Sequence, residues 1–509
     1  MKKKQFLPII ILAVFFIVFG IASYKVYQLM FGGAVQVQST DIETAISQMI
    51  PQFIVGGLIL IAGIALLVYG RTRKQENEKK LYNAHSFTTI FMAILVTINW
   101  ICLGPQSTNL NTAFSGTSKI SDEHISESID TAEAIAEEGI TLLKNENNSL
   151  PLAANTKLNV FGWSSTNPVY GGAGSGSSDS SEAVTLLQGL TEAGFELNPE
   201  LEEFYTAYRV DRPTISFFGV DFTIPEPSID EYMQANIFES AKAFSDTALV
   251  VISRSSGEGS DLAMSLSEEN NFVIDEQGRD IIFSTQEDDL DASKSYLELS
   301  NREIAMLDEV TADFSNVVVV INSAQPMELG WLDTYSNINA AVWCPSPGQV
   351  GFRALGKILA GEVNPSGHLV DTFVYDLLTT PYINNIGNFK YTDYEDVTGA
   401  AENEVPFVEY SEGIYVGYKF YETAAAEGLI DYDAVVQYPF GYGLSYTSFE
   451  SKIASVDDDG QNITLEVEVK NTGNVAGKSV AEIYFNPPYT NGGIEKATAN
   501  LVTFAKTDL

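Results

Sequence analysis

The sequence predicts an α/β fold, a mainly parallel sheet sandwiched by helices, followed by a partial β-sandwich and preceded by transmembrane helices. Three observations carry this. Short runs dense in β-branched residues, ALVVISR (248–254), NVVVVINS (316–323) and INAAVWC (338–344), alternate with helix-period segments such as NREIAMLDEVTADF (301–314) and QVGFRALGKILAG (349–361). Strands that are apolar on both faces and alternate with helices belong to a parallel sheet covered on both sides. Near the end, Leu465, Val467 and Val469 alternate with charged residues, the period of a half-exposed strand. At the other end, the first 104 residues hold three long apolar stretches.

Those stretches run over 6–23, 53–69 and 87–103, each near the roughly 17 to 20 residues that cross a bilayer as a helix. The first follows MKKK as a signal peptide would, but it is long and no small-x-small site closes it, which favours an uncleaved anchor. Lys2, Lys3 and Lys4 precede the first stretch, and Arg71, Arg73, Lys74, Lys79 and Lys80 lie between the second and third. Basic clusters stay cytoplasmic, so residues 1–104 are expected to be a three-span anchor of the cell membrane with everything after Gly104 extracellular. Residues 105–125 are a polar linker.

In the soluble part, Ile129, Ala132, Ala136 and Ile140 recur at helical spacing within 126–152, and KNENNSLP then turns the chain into the strand KLNVFGW (157–163). A helix over 182–194 follows. Residues 261–297 are acidic and lack periodicity, as in a long surface insertion beside the loop after ALVVISR, suited to a lid. Past 365 the chain turns to aromatics and glycine, with EGIYVGYKFYE (412–422) and YPFGYGLSYTSFE (438–450), expected as loop and edge strand. From Ile463, two alternating runs joined by NTGNVAG read as a hairpin of the β-sandwich, and too few residues follow to complete about seven strands. The domains expected are 126–450 and an incomplete 451–509.

Composition narrows the function. The net charge is −39, and residues 1–104 hold 9 Lys and Arg against 4 Asp and Glu, so the body is strongly acidic and repels phosphate backbones; nucleic acid is not a partner. Two cysteines, Cys102 and Cys344, lie in apolar runs and read as small buried hydrophobes, and with three histidines the chain has little from which to build a metal site or a His-based triad. No metal or cofactor is expected. The loop SSGEGSD (255–261) leaves the carboxyl end of a sheet strand, where open α/β folds bind ligands, and its glycines present Glu258 at a sharp tip. Arg254 reads as the partner of a neighbouring acid. A second loop, VYGGAGSGSSD (169–179), is glycine-rich but lacks the spacing of a dinucleotide cradle. Trp163, Trp331 and Trp343 are candidates to stack on a ligand ring, although Trp343 sits in an apolar strand. Tyr415, Tyr418 and Tyr442 read as packing between domains.

EEGITLLKNENNSLPL, VISRSSGEGSD, NPSGHLVDTF, EGIYVGYKFYE, YPFGYGLSYTSFE and VKNTGNVAGKSVAEIYFNPP, in this order, resemble the second α/β domain and the following fibronectin-III-like domain of glycoside hydrolase family 3, the β-glucosidase type. The resemblance covers 126–509. It implies a retaining β-glycosidase in which Glu258 is the acid/base and the 169–179 loop edges the sugar site, with Gly174, Ser175 and Ser177 near substrate. Asp261, also a candidate beside the substrate, caps the next turn or raises the affinity of Glu258 for its proton by like-charge repulsion. The resemblance also implies a (β/α)8 barrel carrying the aspartate nucleophile, about 250 residues for which the linker has no room, so the barrel is expected in the continuing chain or in a partner. A non-catalytic cell-surface carbohydrate-binding or scaffold module is the alternative.

Overall fold

The structure, a computed structural model, describes residues 39–103, 121–172, 176–208, 219–257, 262–267, 273–274, 280–284, 286–385, 389–391 and 407–509. It divides into two compact units, Met1–Ser121 and Asp122–Leu509.

In the first unit, helices α1 (Ser39–Arg71) and α2 (Glu76–Leu103) pack against each other. Each contains a stretch long and apolar enough to cross a membrane, Ile50–Arg71 and Glu76–Trp100. Small residues set the approach: the Ser86 hydroxyl donates to the Gly63 carbonyl at 2.6 Å, and a Cβ on Gly63 would lie 2.6 Å from the Ile90 side chain. The stretch expected over 6–23 lies outside the described residues.

In the second unit, helix α3 (Asp122–Gly139) leads into strand β1 (Thr141–Asn145). There follow β2 (Lys157–Phe161), helix α4 (Leu186–Glu192), β3 (Glu196–Leu197), helix α5 (Pro199–Tyr208), β4 (Gly219–Asp221), helices α6 (Ile229–Gln234) and α7 (Ile237–Phe244), and β5 (Thr247–Arg254). The chain goes on through β6 (Val273–Ile274), β7 (Asp280–Ile282), helix α8 (Asn301–Asp313), β8 (Asn316–Ser323), helix α9 (Trp331–Thr334), β9 (Ile338–Trp343) and helix α10 (Gly351–Ala360).

The main sheet has the order β1-β9-β8-β5-β2-β3. Its strands are parallel except β1, which runs antiparallel on the edge beside β9. Alternate side chains go to opposite faces. Val250, Ile252, Val319 and Ile321 join a core with Leu201 of α5, Ile237 of α7 and Met306 of α8, while Leu249, Val251, Val318 and Val320 join one with Leu186 of α4 and Leu355 of α10. Each such buried aliphatic side chain contributes about 1.5–3 kcal/mol of transfer free energy. The Ser300 side chain and Glu303 close a capping box at the start of α8, which fixes where that helix begins.

Several expectations need correction. The helical spacing read from Ile129 to Ile140 ends as a helix at Gly139, and the residues between it and the KNENNSLP turn form a strand, because Thr141–Asn145 gains more by pairing with β9 (Thr141↔Trp343) than by one more turn of helix. Leu142 also bridges to Leu444. The aperiodic insertion holds β6 and β7, which with β4 form a three-stranded sheet over a small aromatic core of Phe222, Phe283 and Tyr296; Phe222 and Phe283 stack at 5.1 Å. Strands of two or three residues are too short for a visible period. Within EGIYVGYKFYE, residues from Tyr418 belong to helix α11 (Tyr418–Ala426), whose Tyr421 and Ala424 are buried.

Beyond it lie helix α12 (Tyr432–Val435) and the pair β10 (Phe373–Val374) and β11 (Val436–Tyr438). The two runs flanking NTGNVAG are not a hairpin. Strand β13 (Ile463–Asn471) pairs with β12 (Phe449–Asp458), and β14 (Val480–Phe485) pairs with β15 (Asn500–Lys506), so the turn crosses between two sheets. Tyr418 packs at 4.8 Å on Phe440 and at 5.8 Å on Tyr484 of β14, and the Tyr442 hydroxyl donates to the Leu143 carbonyl, consistent with packing roles for both.

Candidate active site

Numbered by their own sequence, the parallel strands run 2-1-3-4-5, and the direction of progression reverses between β2 and β5. At such a reversal the connections leave to opposite faces of the sheet and open a crevice at the carboxyl ends of the strands. The two loops singled out from the sequence, 169–179 and 255–261, follow these two strands.

At the end of β2, Gly162 has φ 93°, and a Cβ there would stand 2.4 Å from the Val251 carbonyl oxygen, so only glycine allows β2 to lie against β5 at this level. At the end of β5, Arg254 is 4 % exposed. Its guanidinium donates to both carboxylate oxygens of Glu303, Nη1 to Oε1 at 2.8 Å and Nη2 to Oε2 at 2.6 Å, to the Ser253 carbonyl at 2.7 Å and to the Glu298 carbonyl; its Nε donates to the Tyr296 carbonyl at 2.6 Å. The expected ion pair is therefore present, and it is bidentate and buried. One residue on, the Ser255 N–H donates to the Tyr296 hydroxyl at 3.1 Å, which in turn donates to the Phe222 carbonyl at 2.7 Å. The root of the Glu258 loop is thus held by the Glu303 and Tyr296 side chains, with Tyr296 itself tied to the Phe222 carbonyl.

The root of the glycine-rich loop is held too. The Asn322 side chain at the end of β8 accepts from the Val169 N–H at 2.7 Å and donates to the Val169 and Cys344 carbonyls. The Ser164 and Ser253 hydroxyls are hydrogen bonded, tying β2's loop to β5, and a Cβ on Gly172 would lie 3.5 Å from the Ser256 carbonyl oxygen, which places the two loop roots side by side. Glu258, Asp261, Gly174 and Ser175 themselves lie outside the described residues; Ser177 is exposed. Trp163 and Trp343 are buried, so neither presents a ring to a sugar, and Cys344 is buried with its thiol pushed up to about 12 by desolvation.

The polar network under this crevice has almost no local signature in the sequence. Glu226, 2 % exposed, accepts from the Trp163 N–H at 2.9 Å and from the Tyr232 hydroxyl; Tyr232 is hydrogen bonded to Tyr205, and the Tyr205 hydroxyl accepts from the Gly162 N–H at 2.7 Å. Burial pushes the Glu226 carboxyl up to about 8, against the pull of the hydrogen bonds it accepts from Tyr232 and Trp163. Its local signal was thin: an acid between Pro225 and Pro227, just before the Ser228–Glu231 capping box. Asp289, buried below the same crevice and raised by desolvation, accepts from the Arg302 N–H at 2.9 Å. Among the described residues no group of three or more His, Cys, Asp or Glu is placed to hold a metal ion.

Residues 140–418, more than half of the chain, match the family model described as the glycosyl hydrolase family 3 C-terminal domain. The chain belongs to glycoside hydrolase family 3. Among its relatives, β-glucosidase A of Butyrivibrio fibrisolvens is 32% identical over 395 residues, covering 73% of this chain and 43% of that protein. A β-glucosidase of Ruminococcus albus is 31% identical over 386 residues, covering 75% of this chain and 34% of that protein. The family 3 chain thus spans well under half the length of these curated relatives. Among solved structures, a β-glucosidase from Paenibacillus barengoltzii superposes with a TM-score of 0.57 at 28% identity, over 75% of this chain and 36% of that one. β-Glucosidase 3B from Thermotoga neapolitana in complex with glucose gives 0.57 at 25% identity, over 86% and 54%. The family 3 model matched is that of the C-terminal domain, and the described residues contain no closed eight-stranded barrel.

Proposed function

We propose that this chain is the membrane-anchored α/β part of a retaining β-glycosidase that hydrolyses β-linked glucosides or short oligosaccharides, with Glu258 as acid/base. The observation that carries the reading is the rooting of the Glu258 loop at the strand-order reversal, clamped by Arg254 and Tyr296, in a family 3 chain whose relatives are named β-glucosidases. The nucleophile comes from a (β/α)8 barrel in the continuing chain or a partner, with the two carboxyls about 5–5.5 Å apart. In the first step Glu258 gives its proton to the leaving oxygen as the glycosidic bond breaks and the nucleophile's ester forms. In the second, its carboxylate takes a proton from the water that attacks the anomeric carbon and releases the ester. Asp261, Gly174 and Ser175 border the substrate. Strands β12 to β15 belong to a fibronectin-III-like sandwich, and the apolar helices, with the basic segment from Arg71 to Lys80 inside, hold the body outside the cell.

The test uses the chain joined to its barrel. Glu258→Gln slows substrates with poor leaving groups by roughly 10² to 10⁴ or more, spares the first step on activated aryl glucosides, and is rescued by azide, which attacks where activated water would have. A change of less than a few-fold with no azide effect removes Glu258 from the chemistry, and no hydrolysis at all by the joined chain favours a carbohydrate-binding module that lost catalysis.

A further inference from the structure

Beside the root of the Glu258 loop, the segments 294–299 and 328–335 enclose an open cleft of about 250 Å³ whose walls are Lys294, Glu298, Glu328, Trp331, Tyr335 and Tyr375. We infer that this cleft binds one pyranose ring of a neutral saccharide. The inference stands whether or not Glu258 is the acid/base.

The wall chemistry is that of a sugar site. Three aromatic side chains offer apolar surface for the C–H face of a ring, and two carboxyls offer acceptors for its hydroxyls. The groups that would disfavour a neutral ligand are already occupied. The Lys294 ammonium donates to the Leu299 carbonyl at 3.1 Å and to Asn301 Oδ1 at 2.8 Å, and the Tyr335 hydroxyl donates to Asp308 at 2.7 Å. The Trp331 indole N–H donates to the Glu328 carbonyl at 3.0 Å, which fixes the ring. Each carboxyl spends one oxygen on the backbone, Glu298 Oε2 accepting from the Ser295 N–H at 2.6 Å and Glu328 Oε1 from the Leu377 N–H at 2.7 Å; the second oxygen of each has no hydrogen-bond partner among the described residues. Tyr375 is held against the backbone, since a Cβ on Gly330 would lie 3.1 Å from its ring. The site is therefore assembled before any ligand arrives, which lowers the ordering cost of binding.

Size and charge select the ligand further. The volume is just below the roughly 300–1,000 Å³ of drug-sized pockets, enough for one ring and too little for an oligosaccharide. An organic cation is the other ligand that aromatic rings and acids attract. Burial, with Glu298 and Asp376 nearby, raises the Glu328 carboxyl to about 7, so near neutral pH it carries only part of a negative charge. That favours the saccharide.

The full chain in detergent micelles is titrated with methyl β-glucopyranoside and with cellobiose, followed by saturation-transfer NMR and calorimetry. Tyr375→Ala removes an exposed ring, and Thr334→Trp fills the cleft from its exposed rim; melting curves verify that each folds, and if Tyr375→Ala does not, Thr334→Trp alone decides. Binding weakened at least tenfold by these variants and kept in Glu258→Gln is the expected result. Binding untouched by both variants, binding lost only in Glu258→Gln, no binding of either sugar, or binding of tetramethylammonium in their place each overturns the inference.

Discussion

Replacing Glu303 by glutamine tests how firmly the root of the Glu258 loop is held. Arg254 and Glu303 are each 4 % exposed at the side chain, and the pair exchanges two hydrogen bonds while Glu303 also accepts from the Ser300 N–H at 2.8 Å. Glu303→Gln turns one acceptor into a donor facing either the guanidinium or that N–H, and leaves Arg254 charged, buried and half satisfied. Breaking a buried pair from one side costs about 3–5 kcal/mol. At the usual entropy of unfolding per residue, a unit of about 390 residues loses about 4–6 °C in apparent melting temperature. Differential scanning fluorimetry on the purified full chain reads this. The double variant Arg254→Met/Glu303→Leu, which removes both charges at similar volume, recovers most of the loss. An unchanged melting temperature in Glu303→Gln, or a double variant less stable than either single one, refutes the view that the charge left behind is what costs stability.

Gly162→Ala is expected to destabilise by about 2–4 kcal/mol, since its Cβ meets the Val251 carbonyl oxygen at 2.4 Å and its backbone is at φ 93°, a shift that chemical denaturation measures; an effect under 1 kcal/mol shows that β2 can move away from β5. Glu226 is protonated when folded up to about pH 8 and ionises near its ordinary value when unfolded, so its contribution to stability is whole in acid and is lost as pH rises from about 4.5 to about 8. Melting temperature plotted against pH falls less steeply over that window in Glu226→Gln, and an identical slope counts against the burial of an unionised carboxyl beside Tyr232, Tyr205, Glu303 and Asp289. On intact cells, external protease is expected to remove the body and spare the segment from Arg71 to His85, detected with an epitope in each; a protected body reverses the proposed topology.

Strands β5, β8 and β9 were legible almost residue for residue, because a strand buried on both faces of a parallel sheet must be an unbroken apolar run and little else in a soluble domain is. Arg254 as an ion-paired residue was legible for a related reason: a charge at the end of such a run has to meet an opposite one. What escaped was set by partners far along the chain. Glu226 acquires its role from Trp163, 63 residues earlier, and from two tyrosines whose hydroxyls no local pattern distinguishes from exposed ones. The pairing of β12 with β13 and of β14 with β15 is invisible to periodicity, which tells that a strand has a wet face and a dry one but not which neighbour it lies beside. The loop carrying Glu258 was found by its glycines and its place after a strand, whereas the clamp of Tyr296 and Asn322 beneath both loops could be seen only in three dimensions.

The edge strand β1 has a consequence for the order in which the chain can fold as it is made. It is the first of the described strands to be synthesised, yet the partners that hold it in the sheet and core come much later: Trp343 and Val342 of β9 across the ladder, the Leu332 carbonyl for the Lys144 ammonium at 2.8 Å, the Tyr442 hydroxyl for the Leu143 carbonyl, and Leu444 at the bridge to Leu142. The parallel core of β2, β5 and β8 can assemble before these residues leave the ribosome, but β1 has to wait, unpaired, until β9 has followed about 200 residues later, and its contacts with Tyr442 and Leu444 come about 100 residues after that. Closing so long a loop late leaves an apolar strand exposed during synthesis, the condition under which a nascent chain depends on chaperones. Amide exchange of ribosome-bound chains stalled before and after β9 has left the ribosome would show protection of Leu142 and Leu143 only in the longer set.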